Sequence, residues 1–385
     1  MSDLNGNGQG FNSSERRVDP WQARPLADSV FRLIWRQQRI SRAEIAQALG
    51  LSRSTVSEII RELLPTGFLK EVGSGESRGG RRPIVLEFQS QAGVILGVDI
   101  GATHVAVALT DLQGEILVWE EGDHPVRTDP EGTWELVFRL CDSCLQQWAG
   151  DPRCLLGIGV AVPSPVDPQH TEWLSEVVIP GWHGRGDWER LQERYRAPVY
   201  VDNDANLGAL AEHRLGAGRG YSNLVYFKLA HGVGAGYILQ GEIYRGANGV
   251  AGEMGHFPID PRGERCVCGL NGCLVTLVGA EGLQARVGQL LPQFPDSVLA
   301  EGELTLTAIE NAALADDSLA LRLFQEAAEH LSIAITGWTN LMNPDIVIIG
   351  GSMARLGDLI LAPIRGKGRD WYLGRVGGHC RGRLL

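Results

Sequence analysis

The sequence has 385 residues, more than one domain usually contains, and its composition, 44% hydrophobic and 21% charged, is that of a folded protein. We therefore expect two or three domains. The net charge of −11 excludes a chain that binds nucleic acid over its whole surface. Seven cysteines without an export signal favour metal-binding or packing roles in a reducing compartment over disulfides.

Residues 1–25 are rich in Gly, Asn and Ser and lack the apolar segment of a signal peptide, so we expect a disordered leader there. No stretch has the length and apolar character of a transmembrane helix. The longest apolar stretch, from Ala92 onward, is interrupted by Asp99 and His104. These features predict a cytoplasmic protein without a membrane partner.

Charge is unevenly distributed along the chain. Between Phe31 and Arg82 ten Lys and Arg stand against five Glu, so this segment carries +5 and the remainder −16. A basic segment on an acidic protein is typical of one nucleic-acid-binding domain attached to a domain of another kind.

Residues 26–90 are predicted to form a winged helix-turn-helix domain. A first helix covers about 29–38. Ser41 and Glu44 form a capping-box pattern at the start of a second helix, which Gly50 ends as a left-handed cap. A third helix follows Ser52, and its first turns carry short or basic side chains that suit phosphates and base edges in a major groove. These side chains are Arg53, Ser54, Thr55 and Ser57.

A hairpin is predicted after the third helix, with a strand from Gly67, a polar loop over 73–80 and a return strand over 84–86. Arg81 and Arg82 stand beside Gly80 and Pro83, and arginines held extended there fit a narrow minor groove. The alternative is a helical protein-interaction bundle with a solvated basic face. The helix spacing, the hairpin and the local charge together favour double-stranded operator DNA as the partner.

Residues 91–385 have a different pattern. A strand over 94–100, a glycine turn and a strand over 105–110 are echoed by strands over 223–229 and 235–239 with another glycine turn between them. Two copies of strand, glycine turn and strand predict an internally duplicated α/β fold with a cleft between two lobes, as in actin-like phosphate-binding proteins.

Four potential metal ligands lie close together in the sequence: His256, Cys266, Cys268 and Cys273. Three thiols and one imidazole form a tetrahedral set that suits Zn²⁺, and because all four positions are filled by protein we expect a structural zinc. Gly269 and Gly272 supply the bends that a loop needs to wrap an ion. The alternative is three buried free cysteines and a surface histidine.

A second polar group follows the apolar strand 198–201. Asn203 and Asp204 stand at the end of this strand, where an amide and a carboxylate can bind neighbouring hydroxyls or accept a proton from one. Taken alone, Asp204 is more often a helix N-cap than a catalytic base. Glu253 lies about one turn before His256.

These motifs together resemble the ROK family, named for repressors, open reading frames and kinases, which includes bacterial glucokinases and the repressors of xylose and N-acetylglucosamine operons. The resemblance covers about residues 28–352 and rests on the segment from Gly255 to Cys273 and on residues 202–206. It implies a sugar-kinase-like sensor domain whose cleft binds a sugar or sugar derivative. It also implies the ligand set Asn203, Asp204, Glu253 and His256, and gives the residue matching Asp204 the role of proton acceptor in kinase members.

Three departures from the family pattern count against kinase activity. Ala102 replaces a glycine of the first phosphate loop, where a Cβ crowds a phosphate that needs close backbone approach. The second loop has Ala230-His231-Gly232 in place of Gly-Thr-Gly. Val275 stands where the kinases carry a glutamate that bonds a sugar hydroxyl. We therefore expect a non-enzymatic transcription repressor, active as a homodimer or homotetramer.

Two alternatives stay open. One is a sugar kinase with an accessory DNA-binding head, and the other is a repressor that responds to a protein partner and keeps an unused cleft, which the loss at Val275 allows. The end of the chain is also unusual, because residues from Arg365 onward are rich in Gly and Arg without periodicity. That pattern favours a truncated or altered end of residues 91–385, without the elements that close the second lobe.

Overall fold

A computed structural model describes residues 25–74, 84–371 and 383–384. The chain divides into two compact units, Met1–Ala92 and Gly93–Leu385. No helix within the described ranges is long and apolar enough to cross a membrane.

The first unit contains three helices and a three-stranded sheet. The helices are α1 (Pro25–Gln37), α2 (Arg42–Leu49) and α3 (Arg53–Leu63), and the strands are β1 (Arg39–Ser41), β2 (Leu69–Ser74) and β3 (Ile84–Phe88). The sheet order is β1-β3-β2 with antiparallel pairs. The helices and the hairpin β2–β3 confirm the predicted winged helix-turn-helix fold.

Local signals place the two helices of the motif. The Ser41 hydroxyl accepts from the Glu44 amide, and the Glu44 carboxylate accepts from the Ser41 amide at 2.8 Å, so the capping box is complete. Gly50 ends α2 with φ 65°, a conformation that glycine adopts without strain. Ser52 caps α3 by accepting from the Thr55 amide. The apolar stripes of the helices meet in a core that contains Val30, Ile34, Ile45, Val56 and Ile60, each fully buried.

Two details of this unit differ from the predictions. The first helix begins at Pro25, four residues before the expected start. Strand β1 was not expected, because three residues are too few to show a periodicity. Its pairing with β3, which aligns Ile40 with Leu86, is a contact between distant parts of the chain.

The second unit contains two lobes, each with a five-stranded mixed sheet. The first lobe contains β4 (Val94–Ile100), β5 (His104–Asp111), β6 (Ile116–Asp123), α4 (Pro130–Trp148), β7 (Leu155–Val162), α5 (Glu189–Tyr195) and β8 (Val199–Asn203). The strand order is β6-β5-β4-β7-β8, with β4, β7 and β8 parallel. In β4, Val94, Leu96, Val98 and Ile100 alternate into the core, as the period of two for a half-buried strand requires.

The second lobe repeats this arrangement. It contains α6 (Asp204–Arg214), β9 (Leu224–Leu229), β10 (Val233–Leu239), β11 (Glu242–Tyr244), α7 (Leu274–Val278), α8 (Ala280–Leu290), α9 (Leu306–Leu314), α10 (Ser318–Met342), β12 (Ile346–Gly350), α11 (Asp358–Trp371) and β13 (Arg383–Leu384). The order is β11-β10-β9-β12-β13, again antiparallel in its first half and parallel in its second. The equal topology of the two sheets confirms the predicted duplication.

Helices cover both faces of the second sheet. Ala209 of α6 packs against Leu224, Ile238 and Ile346 on one face. The long helix α10 and its neighbours form the larger core on the other face. Because α6 starts directly after β8 of the first lobe, its N-terminus is held where the two sheets approach each other.

The expectation of an irregular chain end was wrong in part. Helix α11 continues to Trp371, through the glycine-containing segment that lacks an apolar periodicity, and β13 adds a parallel strand beside β12. The register aligns Ile346 with Arg383.

Candidate functional site

The start of α3 presents an exposed polar surface. Arg53 and Ser54 are exposed, and Thr55 and Ser57 are half-buried. The Ser52 hydroxyl lies 2.7 Å from that of Ser54 and 2.8 Å from that of Thr55, so the three hydroxyls form one cluster at the helix N-terminus. A helix N-terminus with a cation and hydroxyl donors is suited to phosphate contact. Arg81 and Arg82, predicted for the hairpin, lie outside the described residues.

The four predicted metal ligands come together in the second unit. The ligand atoms of His256, Cys266, Cys268 and Cys273 all lie within 4.8 Å of one another. Cys266 Sγ is 3.3 Å from His256 Nδ1, and Cys268 Sγ is 3.6 Å from Cys273 Sγ. A tetrahedral zinc with bonds of about 2.3 Å to sulfur and 2.0 Å to nitrogen has ligand–ligand edges of about 3.5–3.8 Å, so the donor set and its spacing fit the ion.

The loop that carries these ligands is fixed by its backbone. Gly269 and Gly272 have φ of 93° and 59°, which confirms the predicted bends. A Cβ at Gly272 would lie 1.6 Å from the carbonyl oxygen of Asp260, so only glycine fits there. Cys273 immediately precedes α7, and the metal cluster is therefore tied directly to the start of a helix in the core of the second lobe.

Asn203 and Asp204 lie at the junction of β8 and α6. The Asn203 side chain accepts from the amides of Ala205 and Asn206, at 2.9 and 3.2 Å, and donates to the Ser164 carbonyl at 3.1 Å. Asn203 is therefore the N-cap of α6, and the expectation that Asp204 serves as this cap was wrong. Asp204 is the first helical residue, which leaves its carboxylate free to point away from the helix end.

The carboxylate of Asp204 is paired with a lysine. Lys228 Nζ donates to Asp204 Oδ2 at 2.6 Å, with the two side chains only 22% and 12% exposed. Burial alone would lower the pKa of Lys228, but Asp204 and Asp99 raise it overall. Burial raises the pKa of Asp204, and Lys228 is the main group that opposes this rise.

The first glycine turn lies next to this pair. Asp99 is the penultimate residue of β4, and its Oδ2 is 3.9 Å from His104 Nε2 on β5. Burial alone would raise the pKa of Asp99, but His104 and Lys228 lower it overall. The imidazole of His104 lies against Gly101, where a Cβ would be 2.4 Å from the ring. This side chain therefore fills space beside the turn that the sequence indicates for phosphate.

Glu253 and His256 lie on the segment before the metal loop. Burial, with a further contribution from the negative charge of Asp204, raises the pKa of Glu253 to about 7. Gly252 has φ 103°, and a Cβ there would lie 1.9 Å from the Ala235 carbonyl oxygen, which shows how closely this segment packs on β10. The charge of Asp204 thus acts on Glu253, and His256, three residues after Glu253, belongs to the metal cluster.

Family models match the two units of the chain separately. The ROK family model matches residues 95–380, and a model for winged helix-turn-helix DNA-binding domains matches residues 29–70. The chain belongs to the ROK family. Within the family it is similar to the xylose repressor of Caldicellulosiruptor bescii, with 31% identity over 87% of this chain and 85% of the relative.

Two further proteins are similar to this chain over most of its length. The DNA-binding transcriptional dual regulator NagC of Escherichia coli is 32% identical over 87% of this chain and 82% of its own length. The crystal structure of a ROK family transcriptional regulator, a homologue of the E. coli MLC protein, superposes with a TM-score of 0.77 at 27% identity, covering 93% of this chain and 90% of that one. The fold is therefore a winged helix-turn-helix followed by an actin-like, sugar-kinase-like ROK unit.

The positions where this ROK chain departs from kinase members can now be placed. Ala102 follows Gly101 in the turn that His104 covers. His231 lies in the turn between β9 and β10, and its carbonyl accepts from the Ala280 amide at 3.0 Å. Val275 lies in the first turn of α7 and packs against the core of the second lobe. An apolar side chain there contributes packing and no hydrogen bond.

Sequence reasoning missed Lys228. In the strand Leu224–Leu229 apolar residues alternate with Tyr226 and Lys228, and such a lysine normally faces solvent. A signal was present, because both cross-strand partners of Lys228, Gly234 and Gly350, lack side chains. Their absence leaves room for a long side chain to lie against the N-terminus of α6.

Proposed function

We propose that this ROK protein is a DNA-binding repressor of carbohydrate metabolism genes that responds to a sugar bound in its cleft. The combination of an exposed Arg53 at the start of a recognition helix with a ROK unit in the same chain supports this proposal most directly. The relatives named for xylose and N-acetylglucosamine support it further. Operator DNA is located in the bacterial cytoplasm, where we expect the protein to act.

In this proposal each group of residues has one role. Arg53, Ser54, Thr55 and Ser57 contact DNA together with Arg81 and Arg82. Asn203, Asp204, Glu253 and His256 form the sugar site, with Asn203 acting mainly by capping α6. His256, Cys266, Cys268 and Cys273 hold one structural zinc, which stabilises the segment that carries Glu253. Because operator half-sites mirror protein symmetry, we expect a homodimer or homotetramer.

A sugar kinase with an accessory DNA-binding head is the second candidate, since the family contains kinases. The ion pair between Lys228 and Asp204 favours the repressor. A general base must take a proton from a hydroxyl, and an ammonium 2.6 Å from the Asp204 carboxylate opposes the uptake of a proton there.

The test measures operator affinity with and without sugar. Duplex DNA is first selected by the purified chain from its own genome, and its affinity is then measured with D-xylose, D-glucose and N-acetyl-D-glucosamine. A coupling of ~1–3 kcal/mol changes affinity roughly 5–150-fold. We expect Asp204→Ala to keep sugar-free binding and to abolish the sugar effect.

The matched control is Asp151→Ala, which removes an exposed surface carboxylate that is paired with Arg153. This variant should behave as the wild type. An unchanged sugar response in Asp204→Ala would place the effector elsewhere. No response to any sugar in the wild type would favour control by a protein partner.

A further inference from the structure

We propose that Lys228 is a positioning residue of the cleft that acts through Asp204, holding this carboxylate charged and in one orientation as a hydrogen-bond acceptor for the ligand. Lys228 belongs to β9 of the second lobe, whereas Asp204 follows the last strand of the first lobe. Because Asp204 begins α6, which belongs to the second lobe, the ion pair lies within this lobe, where the chain enters it from β8 of the first lobe.

The geometry gives Lys228 few other partners. Its neighbours in β10 and β12 are Gly234 and Gly350, so no side chain separates its stem from α6. A Cβ at Gly234 would lie 3.2 Å from Ala205 Cβ, which shows that this face of the strand is in contact with the first turn of α6. The ammonium is thus directed to the carboxylate that begins this helix.

The surrounding charges explain why a fixed cation is needed. The negative charge of Asp99 on β4 opposes ionisation of Asp204, and the negative charge of Asp204 opposes ionisation of Glu253. Tyr226 on β9 and His104 on β5 are the other titratable groups around Lys228. Lys228 is ion-paired with Asp204, and the negative charge of Asp99 also favours its charged form, so a ligand would meet paired charges and not a free cation.

This inference rests on the proposed sugar site, because it assigns Asp204 an acceptor role there. A buried carboxylate without its counter-ion has a raised pKa and becomes a neutral acid near neutral pH. In a neutral carboxylic acid one oxygen carries the proton and acts as a hydrogen-bond donor. The acid therefore offers a sugar hydroxyl one acceptor oxygen fewer than the carboxylate does. Lys228 therefore sets the pH range over which the site keeps its acceptor.

The first measurement needs no ligand. Thermal unfolding of the full chain is compared for Lys228→Met, Asp204→Asn and the double variant. Removing one partner of a buried pair leaves the other charge uncompensated, whereas removing both does not. We expect Lys228→Met to lower Tm more than the double variant does. Additive Tm changes would overturn the pairing.

The second measurement is sugar affinity between pH 6 and 9, using the sugar of the panel above that shifts Tm most. Because Glu253 titrates in both proteins, the informative quantity is the ratio of the wild-type affinity to that of Lys228→Met. We expect a ratio on the order of tenfold at pH 6 that falls toward one at pH 9, since Asp204 ionises again in the variant as pH rises. Lys228→Arg should follow the wild-type profile.

A ratio that is constant with pH would show a merely structural role and overturn the proposal, as would a Lys228→Met variant that equals the wild type. In either case the sugar response itself survives, so the proposed function stands. Failure of every sugar to bind overturns the positioning role together with the sugar site, whereas operator binding is decided separately.

Discussion

Removing one ligand of the metal cluster tests the zinc assignment, and the burial of the neighbouring side chains gives the expected loss of stability. In Cys266→Ser a buried thiol, 4% exposed and 3.3 Å from His256 Nδ1, loses its sulfur. Three remaining ligands hold zinc less tightly, and the loop then loosens at both ends. Met254 and Leu274, 1% and 0% exposed, flank the loop and lose packing with it.

The size of the effect follows from these two side chains. Full burial of each contributes about 1.5–3 kcal/mol, so loosening both costs about 3–6 kcal/mol. For a unit of this size one kcal/mol corresponds to about 2–4 °C in Tm, and we expect a fall on the order of 10 °C. The measurements are zinc content by elemental analysis of protein purified without added metal, and Tm with and without chelator.

Cys154→Ser is the matched control, because Cys154 is a half-buried free cysteine outside the cluster. The control should keep about one zinc per chain and the wild-type Tm. Wild-type protein that contains no metal and yet has the same Tm after chelation would refute a structural zinc. So would a Cys266→Ser variant that retains the full metal content.

Two other expectations concern the two functions separately. Arg53→Ala should weaken duplex binding and reduce the slope of log affinity against log salt by about 0.9, the value for one phosphate contact. The control Arg153→Ala, in the second unit, should change neither the affinity nor the slope. An unchanged slope in Arg53→Ala would remove Arg53 from the DNA interface. Sugar-dependent ADP release should stay far below the ~10 per second typical of enzymes, and a rate near that value that Asp204→Asn abolishes would restore the kinase interpretation.

Features set by neighbouring residues were predictable from the sequence. The capping box of Ser41 and Glu44 and the left-handed end at Gly50 depend on contacts within one helix, and the structure has both. The apolar segment before the glycine turn predicted β4 with the bounds that the structure has, Val94–Ile100. The metal cluster was predictable because three of its ligands lie within eight residues and their chemistry is specific.

Features set by contacts between distant segments were not predictable. The short strand β1 exists because Ile40 pairs with Leu86, and no pattern of three residues indicates such a partner. Asn203, and not Asp204, caps α6, and the Asp204 carboxylate pairs instead with Lys228 of β9, a residue 24 positions away. Helix α11 continues past Pro363, although proline and glycine disfavour a helix there.

The same ion pair counts against catalysis and in favour of recognition. A catalytic carboxylate must take a proton during each turnover, and the nearby ammonium of Lys228 opposes this. A sensor has the opposite requirement, because a ligand shifts a conformational equilibrium only through contacts that differ between two states. The Asp204 carboxylate, held as an acceptor by Lys228, could meet this requirement without catalysing a reaction. Asp204 begins the helix that directly follows the last strand of the first lobe, so in the proposed site a hydroxyl bound by Asp204 would be sensitive to how the lobes are arranged.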